Sequence, residues 1–243
     1  MPERARNIGI CASCGDEVQL TLEHVPPKSL FAKPRPEPLG IYTCTECNKG
    51  SSNEDELLKV LVALGVTKLN PRGEDLSESL QRTIAHNAKI RRKIIYDATP
   101  SEIRTDSGIF VQAGMKIPFD IKPIIPLFVK MARCLFYYEH SFIVPRELKP
   151  TVQVVQNHDI PEGWLNHPSD TIKSGFVGDL DRFAYTVALA QEYPDRFGAQ
   201  IQWCLYGRLG AMVLFIDDDE GRHGSRSRTS RATQIRPRWW VTR

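Results

Sequence analysis

The sequence predicts an α+β protein in two parts: a small zinc-stapled module at the N-terminus, then a larger domain with an antiparallel sheet and a buried helix. Three observations predict it. Two Cys-x-x-Cys pairs, Cys11/Cys14 and Cys44/Cys47, bracket a short alternating run. The stretch from Ile124 to His140 is apolar on nearly every side of a helix. The last third consists of period-two segments separated by turn residues.

Composition admits that reading and excludes others. The chain has 243 residues, of which 41% are hydrophobic, enough for one large or two modest domains with a sizeable core. The first ten residues offer only Ile8 and Ile10 as bulky aliphatics beside Arg4 and Arg6, so no secretory leader is expected. The longest apolar run carries Lys130 and Arg133 and is too short to cross a bilayer. Cys134 and Cys204 stand outside the two pairs and suit a reducing compartment, so a cytoplasmic location is expected.

The thiol pairs come first in the chain. A two-residue gap lets both sulfurs of a pair turn toward one tetrahedral ion about 2.3 Å away, and four soft thiolates select zinc. With four Cys filling the shell no position stays open for water, so Cys11, Cys14, Cys44 and Cys47 are expected to hold a structural zinc. Free thiols or two disulfides are the alternatives at this spacing. Residues 15 to 43 separate the pairs, a longer insert than the 15 to 20 residues of ribbon-type sites.

Inside that insert, Val18-Gln19-Leu20-Thr21-Leu22 alternates and predicts a short strand with Val18, Leu20 and Leu22 on one face. Glu23 and His24 follow, and Pro26-Pro27 stop the ladder, so His24 falls where a strand opens into a loop. A histidine there, with a pKa near neutral, suits a general base. Neighbouring strand residues point to opposite faces, so Glu23 and His24 share a site only if the strand bends or ends there, as the prolines predict. Asn48 directly follows the last cysteine. Ser52 with Asp55 then reads as a capping box, opening a helix that carries Leu57, Leu61 and Leu64 and stops near Gly65.

These motifs, CASC, TLEHVPPK and TCTECNKG, cover about the first quarter of the chain and resemble the zinc-bound branch of the HNH endonucleases. The resemblance implies a ββα core folded on the zinc, with Glu23 and Asn48 as ligands of a catalytic Mg²⁺ or Mn²⁺ and His24 as the base that activates water. It implies metal-dependent hydrolysis of DNA phosphodiester bonds, leaving 5′-phosphate and 3′-hydroxyl ends. The chain departs from the family pattern in two places: no Asn lies between Val25 and Thr43, and Glu23 stands where Asp is commoner. A zinc-containing module that only binds nucleic acid or protein is the alternative, and an RNA nuclease a third. Duplex or branched DNA is the expected partner, and a homodimer would let two modules cut both strands.

The rest of the chain follows in order. Residues 26 to 40 hold five prolines interleaved with Lys28, Lys33 and Arg35, and read as a stiff, extended loop outside any sheet. Lys28 and Arg35 there, with Lys49 after the second pair, are the candidate phosphate contacts. Asn70-Pro71-Arg72-Gly73 separates the first helix from a second. That one is capped by Asp75 and Glu78, runs through Leu76, Leu80, Ile84 and Ala88, and is basic at its far end (Lys89, Arg91, Arg92, Lys93).

A hairpin is expected around Ile103 to Gln112, turning at Asp106-Ser107-Gly108, and a buried helix from Ile124 to His140. Glu139-His140 repeats the acid-His pair with no thiols near it and reads as structural. Thr151 to Gln156, Phe183 to Ala190 and two runs from Gln200 to Ile216, broken at Gly207 and Gly210, predict the antiparallel sheet. Asp217 to Glu220 reads as a solvated acidic end. The tail from Gly221 has seven arginines and no acid; removing them from the formal +3 leaves −4 for the chain before it. The expected division is therefore a nuclease module over residues 1–66, an α+β domain over 67–220 that positions substrate or partner, and a basic tail over 221–243.

Overall fold

The computed structural model describes residues 7–49, 52–66, 76–104, 107–118, 120–156, 164–165, 172–189 and 197–217. The expected break at Asn70 to Gly73, the cap at Asp75, the acidic end past Asp217 and the basic tail lie outside them.

The protein is α+β, as its patterning requires. Strands β1 (Ile8–Ile10), β2 (Glu17–Val25) and β3 (Leu39–Cys44) form an antiparallel sheet in that order. A short helix α1 (Thr45–Lys49) and then α2 (Ser52–Val66) follow, so the N-terminal part is a hairpin backed by helix. The single helix expected over residues 76–93 is two, α3 (Ser77–His86) and α4 (Ala88–Ile95). Asn87 breaks it: its backbone is extended and its side chain accepts the Ile90 N–H, capping α4. The basic cluster Lys89 to Lys93 therefore belongs to a separate two-turn helix.

Strands β4 (Thr99–Arg104) and β5 (Phe110–Lys116) form the expected hairpin. Helix α5 (Ile125–His140) is the buried helix, ended by Ser141 in the left-handed region at φ 59°. It packs against a five-stranded antiparallel sheet of order β6-β10-β9-β8-β7: β6 Pro150–Gln156, β7 Ile172–Val177, β8 Phe183–Leu189, β9 Gly198–Leu205 and β10 Leu209–Ile216. Phe128 of α5 meets the fully buried Trp203 of β9 edge-on, with ring centroids 5.6 Å apart. Strand β7, an edge strand, has little alternating signal and was not expected. The turn between β9 and β10 is Tyr206-Gly207-Arg208, with Tyr206 and Gly207 at φ 52° and 63°. Gly210 lies inside β10, where a Cβ would come 2.8 Å from Val155 of β6, so close strand packing requires glycine there.

The proline-rich loop is not extended. It folds through a 3-10 turn at Lys28–Leu30 and drives Leu30 and Phe31 into the core, where Tyr206 donates to the Leu30 carbonyl at 3.4 Å. One hydrophobic cluster runs from Ala12, Val25 and Ile41 through Leu58 and Val62 to α5 and the large sheet. The N-terminal hairpin and the larger sheet thus share a core across residue 66, with α5 between them.

Candidate metal centre and the hairpin beside it

Both cysteine pairs lie where the chain turns. Gly15, at φ 82°, lets the segment after Cys14 fold back, with its N–H on the Cys11 carbonyl at 2.9 Å and the Cys11 N–H on the Asp16 carbonyl at 2.9 Å. Cys44 ends β3 and Cys47 sits one turn into α1. The four sulfurs lie within 4.8 Å of one another, and Cys14 Sγ is 4.0 Å from Cys44 Sγ. A tetrahedron of sulfurs around zinc has edges of about 3.8 Å. The donor set therefore fits one such ion with small adjustment.

Backbone donors finish the shell. Cys44 N–H points at Cys11 Sγ at 3.1 Å and Cys47 N–H at Cys44 Sγ at 3.3 Å, an arrangement that favours thiolates. Burial pushes the Cys14 thiol well up and the Cys47 thiol to about 12. At Cys11 burial also pushes up, but N–H groups of Cys14, Cys44 and Ser13 outweigh it and the thiol lies below its ordinary 9.0. Metal binding here must displace protons, so affinity falls with pH.

The hairpin next to this centre carries the other candidates. Strand β2 does not end before His24: Glu23, His24 and Val25 remain paired with Ile41, Gly40 and Leu39. The prolines begin only after that ladder, so Glu23 and His24 point to opposite faces. This corrects the expectation that the strand bends there. His24 shares the outer face with Leu22 and Tyr42, which are 47% and 49% exposed, and its partner Gly40 leaves room for Leu22 to lie 3.1 Å from where a Cβ would be. The expected apolar face of Val18, Leu20 and Leu22 exists, but it turns outward, because the inner face is filled by Glu23, Val25, Ile41 and Thr43.

Glu23 is 6% exposed and its Oε1 lies 3.2 Å from Nζ of Lys130 on α5, itself 7% exposed. Its Oε2 is buried with no hydrogen-bond partner, and so is Oδ1 of Asp55, in the first turn of α2. Burial pushes both carboxyls above their ordinary values; Lys130 opposes this at each, and Asp55 adds to it at Glu23. Asn48 is brought to the same strand: its Nδ2 donates to Thr21 Oγ1 and to the Leu22 carbonyl, both at 3.0 Å. Both amide hydrogens are thereby used, which leaves Oδ1 as the ligand atom Asn48 can offer. His24 is half-buried, and burial first and Lys28 second push it below its ordinary 6.5, with Glu37 opposing.

The candidate phosphate contacts do not make one basic stripe. Lys28 pairs with Glu37 at 3.0 Å, Arg35 donates to the Phe31 carbonyl at 3.3 Å, and Lys49 is exposed at the end of α1. Glu139 accepts from Tyr185 at 2.6 Å, and His140 stacks on Phe136 at 4.8 Å with its Nε2 buried and without a hydrogen-bond partner. Sequence reasoning missed Asp55, read only as a cap, and Lys130, read only as a charge in an apolar helix. The signal for Lys130 was present: an ammonium inside a buried helix needs a partner.

Among the described residues the four cysteines are the one group of three or more His, Cys, Asp or Glu side chains placed to hold a metal ion, and no helix is long and apolar enough to cross a membrane. No protein-family model, curated protein or solved structure matches the chain.

Proposed function

We propose that the protein is a metal-dependent endonuclease that hydrolyses DNA phosphodiester bonds at the zinc-stapled hairpin. The observation that carries the reading is the double hydrogen bond from Asn48 to Thr21 and Leu22, which pins the residue after the last cysteine to the strand that carries Glu23 and His24 on its two faces.

Each side chain has a part that its environment supports. His24 is neutral at pH 7 and half-open on the outer face, so it is ready to take a proton from water. Glu23 Oε2 and Asn48 Oδ1 are oxygens, which suits a hard ion such as Mg²⁺ or Mn²⁺. Such an ion supplies stabilisation of the charge that develops on the phosphate and the leaving oxygen. The zinc-binding cysteines do no chemistry; they fix the distance between β2 and α1 on which the arrangement depends. Lys28 would meet a backbone phosphate on leaving its pair with Glu37, and its charge adds to burial in keeping the imidazole neutral.

A specific observation favours a second reading. Glu23 is closed on Lys130, and Leu22 and Tyr42 expose apolar surface beside His24. Both features suit a zinc module that binds nucleic acid or protein without cutting it. Supercoiled plasmid incubated with the zinc-loaded protein and Mg²⁺ or Mn²⁺, with EDTA and His24→Ala controls, separates the two. Nicking or linearisation that needs both the ion and His24 is the expected result. Cleavage that survives His24→Ala, or none with any ion on DNA or RNA, overturns the nuclease reading and leaves the binding module.

A further inference from the structure

The outer face of the hairpin leaves apolar side chains in water. Val18, Leu20, Leu22 and His24 alternate along β2 on that side, and Tyr42 of β3 stands directly across from Leu22. Val18, Leu22 and Tyr42 are exposed, and among the described residues no hydrogen bond or ring contact engages the Tyr42 side chain. Two glycines keep this surface flat. Gly9 of β1 lies across from Val18 and Gly40 of β3 across from His24. A Cβ on Gly9 would come 3.0 Å from Leu20 Cδ1, and one on Gly40 would come 3.1 Å from Leu22 Cδ1. The leucines therefore lie down over bare backbone, with the Tyr42 ring beside them.

An exposed apolar surface of this kind marks a binding site, and its continuity with His24 says what binds. His24 is two strand residues from Leu22, about 7 Å along β2, which is close to the span of one nucleotide in an unstacked strand. A phosphate within reach of His24 thus brings a neighbouring base over Leu22 and Tyr42. In a duplex the grooves offer only base edges, so a flat surface of ring and leucine meets the face of a base only after that base has left the stack. Exposed Lys49 follows Asn48, whose amide holds the Leu22 carbonyl, which brings a cation to this edge of β2 for the phosphates of such a strand.

We infer that Tyr42, with Leu22, is a stacking platform for an unpaired nucleobase, and that the substrate of the hairpin is a DNA strand whose bases are out of the helix. The inference rests on the nuclease reading and deepens it, by naming the substrate class and a positioning residue for the nucleotide beside the scissile phosphate. A second copy of the chain is the rival occupant of the face.

The test is fluorescence anisotropy of the zinc-loaded full chain, without added Mg²⁺ or Mn²⁺, against three labelled probes of equal length: a single-stranded DNA of mixed sequence, the same strand made abasic throughout, and the duplex. The base-bearing strand binds about tenfold tighter than the abasic one, the usual worth of a stacked base. Tyr42→Ala removes that advantage and leaves the abasic strand and the duplex unaffected, while Tyr42→Trp restores it at an unchanged thermal midpoint. Tyr96→Ala, which deletes an exposed ring at the end of α4, changes nothing. Equal affinity for the base-bearing and abasic strands, or the same loss on both in Tyr42→Ala, overturns the inference. So does a wild-type dimer that Tyr42→Ala converts to monomer in analytical ultracentrifugation, which gives the face to a second copy. The two readings fail separately: His24-dependent cleavage of single strands that Tyr42→Ala leaves at the wild-type rate sinks only the platform, whereas base-dependent binding through Tyr42 without cleavage of any substrate sinks only the nuclease.

Discussion

Glu23 on β2 and Lys130 on α5 form an ion pair of 3.2 Å with both side chains removed from solvent. It ties the hairpin beside the four cysteines to the helix that packs on the larger sheet. Removing one partner of a buried pair costs about 3 to 5 kcal/mol, whereas replacing both with apolar groups of similar volume is near neutral. Glu23→Gln is therefore expected to lower the urea midpoint strongly, and Glu23→Gln with Lys130→Met to recover most of the loss. Equal destabilisation by the single and double variants would mean that packing, and not charge, sets the cost.

The four thiols predict one zinc per chain, released as pH falls. Cys14 and Cys47 hold protons strongly in the metal-free protein, so protons compete with zinc and affinity declines toward acid pH. Cys44→Ser removes the ligand that also links β3 to α1 and should abolish stoichiometric zinc, with loss of the hairpin's protection in amide exchange. Zinc measured by a colorimetric chelator across pH 5 to 8 checks both; full retention by Cys44→Ser would contradict the four-thiolate site.

His24 fixes the sign of the pH dependence. Its pKa lies below 6.5, so the neutral form that can accept a proton is the main form at pH 7 and is lost as pH falls through that lowered value. Cleavage should show an acid limb below pH 6.5 and a plateau above. Lys28→Ala removes a cation and frees Glu37, two changes that both favour the imidazolium, so the limb should move to higher pH. A limb that stays in place, measured by initial nicking rate, would show that the charge pair does not tune His24.

Asn48 has two separable jobs. Its amide hydrogens pin α1 to β2, and each such bond contributes about 1 kcal/mol, so Asn48→Ala should cost about 1 to 2 kcal/mol and Asn48→Asp at least as much, since a carboxylate faces the Leu22 carbonyl without a donor. An oxygen ligand survives in Asp but not in Ala. Divalent-ion binding kept in Asn48→Asp and lost in Asn48→Ala, at similar thermal midpoints, is the expected pattern.

Asn87 should be the cheapest place to loosen the helical arm. Its side chain caps α4 through the Ile90 N–H and donates to Glu56 of α2 at 2.9 Å. Asn87→Ala is expected to cost about 1 kcal/mol by chemical denaturation.

The parts whose signals are local could be read from the chain. Two-residue gaps placed the thiols, period two placed β4, β5, β6, β8, β9 and β10, and the all-apolar stretch placed α5, because each depends on neighbours a few residues away. The sequence could not show that Asn87 would cut a helix whose apolar spacing runs from Leu76 to Ala88, nor that the proline loop would send Leu30 and Phe31 inward. Which face of β2 lies inside follows from packing between distant elements. Alternation says that Leu22 and Glu23 lie on opposite faces, not which one meets the core. Here α5 presents Lys130 to the hairpin, so a carboxylate is stabilised inside and the leucines turn out. Buried charge is settled by the partner that arrives from elsewhere in the chain, and no local pattern carries that information.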